Sequence, residues 1–586
     1  MTTLAKLPKS SLITSCLTPN PRVPNITAAK KLGDNVLRDG RILKTGCFTW
    51  SQPESRDNFK LSAVSPRLMN SMGLDLAESQ SKQFQATVAG QYVFEDEDRG
   101  IYPYALCYAG FQFGNWAGQL GDGRVINLFT TTNPTTGEAF DVQLKGAGRT
   151  PYSRFGDGKA VLRSSIREFL ASEYLHALGI PTTRALALSF FPGLSARRER
   201  MEPCAIVARA AASWIRVGMF DLHRWRRDRK GMSELADYTI DGVFSGEANL
   251  DPSTESKYIR SYRTIVRLNA ESVAYWQAYG FMNGVLNTDN TSVLGLAIDF
   301  GPFAFMDRFD PMFSPNHDDD LLRYSYKNQP SVIWWNMVRS GEALGELLAI
   351  ETNEGYVDRY LNEPTDDISI KRAEEIIEGC SNNFQSQFLA KYTELMSQRL
   401  GLKTRQESDF KKLLNPLSDC LKEAELDYNI VFRRLGNIAF FPNSGVVDFD
   451  IIARSFFNDD RSNCLTTVND GTTRLAKVLQ LYQARLQSEG SIDDSARQAE
   501  MNVVNPHFVL RTWILDSLIT AIKPVENPDT KQMEIATSGQ ELLSRVLNMT
   551  SDPFKEAWDP NFAEEEARFT GNVEEKYWGM QCSCSS

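Results

Sequence analysis

Strand-like alternation and glycines are concentrated early in this chain and helical periodicity late, and that order most constrains its fold. In "FDVQLKG", Phe140, Val142 and Leu144 alternate with Asp141, Gln143 and Lys145. This is the period of a half-buried strand, with Lys145 on the face opposite the apolar side chains. Just upstream, "YPYALCYAGFQFGNWAGQLGDGR" (Tyr102 to Arg124) mixes glycine with aromatics, so tight turns or a close approach of backbone to something bound are expected. "SPRLMNSMGLDL" has helical spacing ending at Gly73. "SSIREFLASEYLHALG" reads as a helix with Ser165 and Glu168 at capping-box spacing, an apolar face of Ile166, Phe169, Leu170 and Leu175, and Gly179 as its stop. Helical patterns follow in "AESVAYWQAYGFMNGVL" and "VIWWNMVRSGEAL" and dominate from about Ile368. Strands early and helices late suit an α+β fold.

At 586 residues the chain has room for three or four average domains, or for one large domain with extensions. No internal repeat or low-complexity linker marks a boundary. The net charge of -10 argues against nucleic-acid binding as the main function, since that rests on cationic surface. The basic run "HRWRRDRK" (His223 to Lys230) reads accordingly as a solvated helix face or loop. No apolar run approaches the length of a membrane span. The nine cysteines contain no CxxC pair and the four histidines are scattered, which argues against a zinc site and a disulfide scaffold. From Met1 to Gly33 there are basic residues (Lys6, Lys9, Arg22, Lys30, Lys31), no acidic ones and many Ser and Thr. That composition resembles a mitochondrial targeting segment, although it is poor in Arg and interrupted by Pro.

A nucleotide-phosphate enzyme needs backbone N–H groups and cations against phosphate, oxygen ligands for magnesium, and a carboxylate for the acceptor. The chain offers each in kinase-like order: the turn "GDGR" (Gly121 to Arg124), Lys145 on a strand, Glu168 on a helix and a second glycine turn "GDGK" (Gly156 to Lys159). Arg209 and Arg216 bracket "RAAASWIR", and "NTDNTSVLGLAIDFG" then carries Asp289, Asn290 and Asp299 around the apolar run Val293 to Ile298. Taken singly each has a plain structural reading: a solvated lysine, a capping glutamate, common turns, surface arginines, a chance Asp-Phe-Gly. Their order is harder to dismiss, and coincidence stands beside a phosphate site with Asp289 and Asn290 on a turn and Asp299 at the end of a buried strand. A GxGxxG lid and an HRD motif with its downstream Asn are missing, so these residues alone leave the transferred group undecided.

The long motifs "YAGFQFGNWAGQLGDGR", "LKGAGRTPYSRFGDGKAVLRSSIREFLASEYLHALGIPTTRAL", "NGVLNTDNTSVLGLAIDFGPFAFMDRFDP", "NPHFVLRTW" and the terminal "CSS" resemble the selenoprotein O family, as a cysteine-containing eukaryotic member. The resemblance implies a two-lobed protein-kinase-like fold within the α+β class, with an N-terminal extension and additional C-terminal helices. The corresponding parts are a targeting or flexible segment (1–33), an extension and N-lobe (34–205), a C-lobe (206–405) and a helical region with a redox tail (406–586). It further implies protein adenylyltransfer: the nucleotide lies flipped relative to kinases, and AMP passes from ATP to protein Ser, Thr or Tyr hydroxyls with release of pyrophosphate. Nucleotide contacts would fall on Gly121, Gly123, Arg124, Lys145, Asp157, Gly158, Arg209 and Arg216. Glu168 would pair with Lys145, Asp289 would accept the proton, and Asn290 and Asp299 would hold Mg2+ (or Mn2+). Many eukaryotic relatives carry selenocysteine at the position of Cys584, which implies a redox-responsive tail with Cys582 as the resolving thiol. The family's eukaryotic members are mitochondrial, and the expected partners are hydroxyl-bearing protein substrates and ATP, with no nucleic acid and no membrane span. Two other readings compete: a conventional protein kinase, and an inactive nucleotide-binding scaffold whose redox tail signals stress.

Overall fold

The early alternating segments close into one ten-stranded sheet. The structure, a computed structural model, describes residues 2–350, 356–362, 365–442, 446–457, 464–490, 493–528 and 533–583. The strands are β1 (Lys9–Ser10), β2 (Phe48–Trp50), β3 (Lys60–Val64), β4 (Tyr104–Gln112), β5 (Asn115–Gly121), β6 (Val125–Thr132), β7 (Ala139–Lys145), β8 (Ala160–Val161), β9 (Arg184–Arg197) and β10 (Met201–Ala211). Their order is β2-β4-β6-β7-β10-β9-β3, with β1 on β6, β5 on β4 and β8 on β10. Neighbours run antiparallel, and hairpins join β4 to β5, β6 to β7 and β9 to β10. With the helices that follow, this is a mixed α/β chain built on a large antiparallel sheet.

Central β7 differs from the half-buried strand expected. Most of its polar face is dry: Gln143 is fully buried and Lys145 is 7% exposed, while Asp141 is half-buried. The sheet is covered on both sides, so these polar groups are satisfied internally. Gln143 Nε2 donates to Asn127 Oδ1 (3.0 Å), and Arg209, paired with Gln143 in register, donates to its Oε1.

The helix Leu162–Ala177 leaves β8 directly and packs on β9 and β10. It starts three residues before the expected cap, with Val161 as its N-cap, so Ser165 lies inside the helix and its buried hydroxyl has no partner among the described residues. The capping box is therefore not formed, and Glu168 is released from that task. Gly179 (φ +75°) follows the last turn as expected of a helix stop.

Residues 2–33 pack against the sheet. Lys9 and Ser10 pair with Thr131 and Thr130 of β6, and Leu4, Leu7, Ile13, Leu17, Val23 and Ile26 are buried. The late half is helical as expected, with long helices at Lys257–Tyr279, Gln329–Leu348 and Asp367–Arg399. The short pair β11 (Phe281–Asn283) and β12 (Phe303–Phe305) flanks the acidic loop of 287–301. One apolar core runs from Ile13 to Val573. Among the described residues no helix is long and apolar enough to cross a membrane.

Candidate active site

Two strands, a helix and the acidic loop converge on one buried ionic cluster. Lys145 at the end of β7 meets Glu168 Oε2 at 2.7 Å and Asp299 Oδ1 at 2.5 Å. Arg209 on β10 meets Glu168 Oε1 at 2.7 Å and Asp299 Oδ1 at 3.4 Å, with its guanidinium over the Trp214 ring. Burial would raise both carboxyls. Lys145 and Arg209 outweigh it and hold Glu168 and Asp299 below the usual carboxylate range, with Arg216 adding to the effect on Asp299. Both are charged at neutral pH, and the Asp299 side chain keeps 28% exposure.

The acidic loop reaches this cluster by a turn rather than a strand. Val293 to Ile298 does not form the continuous buried strand expected: Gly295 (φ +66°) turns the chain, and Thr291 bridges back to Ala297. A Cβ on Gly295 would lie 2.5 Å from Leu268 O, so the turn requires glycine on two counts. The fold-back brings Asp289, on the one-turn helix Thr288–Asn290, to the same side as Asp299. Arg216 ties them, donating to Asp289 O (3.1 Å) and to Tyr108 OH (3.3 Å), with its charge acting on Asp299.

Asp289 has the opposite electrostatics. It is 7% exposed, its Oδ2 accepts from Gln112 Nε2 (3.1 Å), and among the described residues its Oδ1 has no partner. Burial, only partly offset by Gln112 and Arg216, pushes its carboxyl up to about 6. Two carboxylates so close yet shifted in opposite directions suit different tasks, Asp299 a fixed anion and Asp289 a proton acceptor near neutral pH. For a metal, Asn290 Nδ2 donates to Val285 O (3.1 Å), which leaves its carbonyl oxygen as the ligand atom. Among the described residues no group of three His, Cys, Asp or Glu forms a cluster. A cation held by Asn290 and Asp299 would complete its shell with phosphate and water, which suits magnesium.

The remaining expected residues divide. Arg124 is exposed, and its carbonyl accepts from Gly146 N (2.7 Å), which sets it beside the end of β7. Gly121 and Gly123 allow close packing, since a Cβ would lie 2.6 Å from Tyr152 Cγ and 2.9 Å from Tyr152 O. Gly158 (φ +72°) packs where a Cβ would be 2.2 Å from Gly148 C, just beyond Lys145. The Asp157 carboxylate is outside the cluster, paired with Arg198 at 2.9 Å. Cys582 bridges Asn316, and burial raises its thiol, while Cys584 lies outside the described residues. Of the basic run, Arg224 and Arg229 pair with Glu342 and Glu346.

Residue-type reasoning missed Gln112, Asp122 and Asp221. Asp122 is buried, accepts from Leu106 N (3.0 Å) and Asn127 Nδ2 (2.9 Å), and lies in the field of Arg216. Asp221, on the helix Val217–Arg226, is 3% exposed and bonded to Thr288, beside Asp289. The only local signal was for Asp122, inside the "GDGR" turn.

Comparison with known proteins follows the same line. The profile of the family described as "Protein adenylyltransferase SelO" matches residues 45–540. The chain is 41% identical to the Schizosaccharomyces pombe protein named "Protein adenylyltransferase SelO, mitochondrial", with 100% of this chain and 99% of the relative aligned. A Saccharomyces cerevisiae protein of the same name is 35% identical, with 93% and 92% aligned. "Protein nucleotidyltransferase YdiU" of Burkholderia thailandensis is 38% identical, with 85% and 88% aligned.

Proposed function

The chain belongs to the protein adenylyltransferase SelO family, and from that premise we propose that the Lys145–Glu168–Arg209–Asp299 cluster binds ATP while Asp289 takes the acceptor's proton. It is a nucleotidyltransferase that moves AMP from ATP to proteins and, like the two yeast relatives by name, it is mitochondrial. No observation favours plain phosphotransfer or an inactive scaffold. The same reading gives the sheet the part of a kinase-like N-lobe and the helices around 206–405 that of a C-lobe, supported by the Lys145–Glu168 pair between strand and helix.

In this proposal Lys145, Arg209 and Arg216 place positive charge around the phosphates, with Arg124 at the rim and the close backbone of Gly121, Gly123 and Gly158 shaping the wall. Glu168 holds Lys145 and Arg209 in place. Asn290 and Asp299 would hold Mg2+, which when bound neutralises phosphate charge. The Ser, Thr or Tyr hydroxyl attacks the α-phosphorus, its proton passes to Asp289, and the bond to pyrophosphate breaks. Asp157 is the weakest member of the nucleotide set, because Arg198 would have to release it.

The observation that carries the reading is the placement of Asp289 and Asp299 on one folded-back loop, with Lys145 and Arg209 on Asp299 and Gln112 on the Asp289 carboxylate, so that their carboxyls shift in opposite directions. Intact-mass analysis of a protein acceptor incubated with ATP tests it. Addition of one adenylyl group by the wild type, and its loss in Asp299→Ala, is expected. A phosphoryl addition in its place would contradict the proposal.

A further inference from the structure

The β4–β5 hairpin closes over the carboxylate of Asp289. Phe113 (φ +50°) and Gly114 (φ +82°) form its two-residue turn between the paired Gln112 and Asn115. The tip is fastened to the acidic loop and its neighbour. Phe111 N donates to Thr288 Oγ1 (2.8 Å), and Phe113 N donates to Tyr324 OH (2.9 Å), which in turn donates to Asn287 Oδ1 (2.5 Å). Gln112 Nε2 reaches Asp289 Oδ2, while Gly110 stands so near Oδ1 that a Cβ there would be 2.9 Å from it. One oxygen is thus covered by β4 backbone and the other by a flexible amide. An acceptor hydroxyl that donates to Asp289 has one movable group to replace, and that group is Gln112.

Resting on the reading of Asp289 as proton acceptor, we propose that Gln112 is a positioning residue whose amide keeps the acceptor's place on Asp289 Oδ2 and is displaced when a protein hydroxyl binds. The amide and a hydroxyl are both hydrogen-bond donors, so the exchange leaves Oδ2 satisfied before and after. While Gln112 is in place the carboxylate is also shielded from water as a competing acceptor. Outside, Phe113 and Trp116 are exposed at 37% and 38% on the same tip, so a protein that docks there bears directly on the hairpin.

The test is steady-state transfer from α-labelled ATP to dephosphorylated casein, a hydroxyl-rich unfolded protein, by the full chain and by Gln112→Ala and Gln112→Met. The methionine keeps the bulk and removes the donor. Both variants should lower the KM for casein by about fivefold, the worth of one displaced hydrogen bond, with KM for ATP unchanged. Both should also increase release of free AMP in the absence of casein. A casein KM unchanged or raised in both variants, with only kcat reduced, would overturn the place-holding role and leave the adenylyl-transfer reading intact. No label transfer by the wild type would overturn that reading, and this inference with it.

Discussion

The ionic cluster shares two cations, Lys145 and Arg209, between two carboxylates, Glu168 and Asp299, so its residues should not behave additively. Glu168→Ala would leave Lys145 and Arg209 buried with only Asp299 to share. Urea unfolding should register a loss of about 3–5 kcal/mol, the usual cost of breaking a buried pair from one side. Asp221 gives a pH-dependent prediction. Burial raises its carboxyl to about 7, and its Oδ2 has no partner among the described residues. The folded chain therefore binds this proton more tightly than the unfolded one, and stability is lost as pH rises from the unfolded value through 7. Asp221→Asn should flatten that loss by on the order of 2 kcal/mol between about pH 5 and 8. Equal slopes for wild type and variant in unfolding at the two pH values would contradict it. At this scale the legible residues were those whose type announces chemistry: Lys145, Glu168, Asp289, Asn290 and Asp299. Gln112 was not among them, because it lies 177 positions from the aspartate it touches and only tertiary packing joins them.

At the level of elements, the decisive piece is the turn at Gly295. An apolar run of six residues reads as a strand by composition, and it is the left-handed glycine against Leu268 O that folds it back and aligns Asp289 with Asp299. Gly295→Ala should cost at least about 1–3 kcal/mol from backbone conformation alone, before the clash is counted. Adenylyl transfer should fall more than stability does, since both carboxylates move; thermal melting beside a transfer assay separates the two. The Leu162–Ala177 helix makes a similar point. Ser165 and Glu168 have capping-box spacing, but β8 feeds the helix from Val161, and tertiary continuity wins over the local signal. Strand β7 was legible by its alternation, while the dryness of its polar face was not, since periodicity cannot tell a solvated face from a polar interior.

For the whole molecule, the basic N-terminal residues are part of the folded body. Leu4, Leu7, Ile13, Leu17, Val23 and Ile26 are buried, and fully burying each such side chain contributes about 1.5–3 kcal/mol. Their sum is comparable with the net stability of a domain, so a chain lacking residues 2–33 should fail to give a cooperative unfolding transition. An unchanged melting curve would contradict this. The segregation of strands and helices was visible from residue order alone, and so were the residue types that meet in the ionic cluster. The transferred group was not, because a cluster of cations and two acids serves either phosphorus. Family membership supplies AMP, and the opposite shifts of the Asp289 and Asp299 carboxyls support the proposed proton acceptor and fixed anion. Parallel assays with ATP labelled at the α- or the γ-phosphate, on wild type and Asp289→Asn, test this most directly. The account predicts α-label on the protein acceptor, none from the γ-position, and a loss of at least about 100-fold in the variant. Transfer of γ-label, or undiminished α-label from Asp289→Asn, would contradict it.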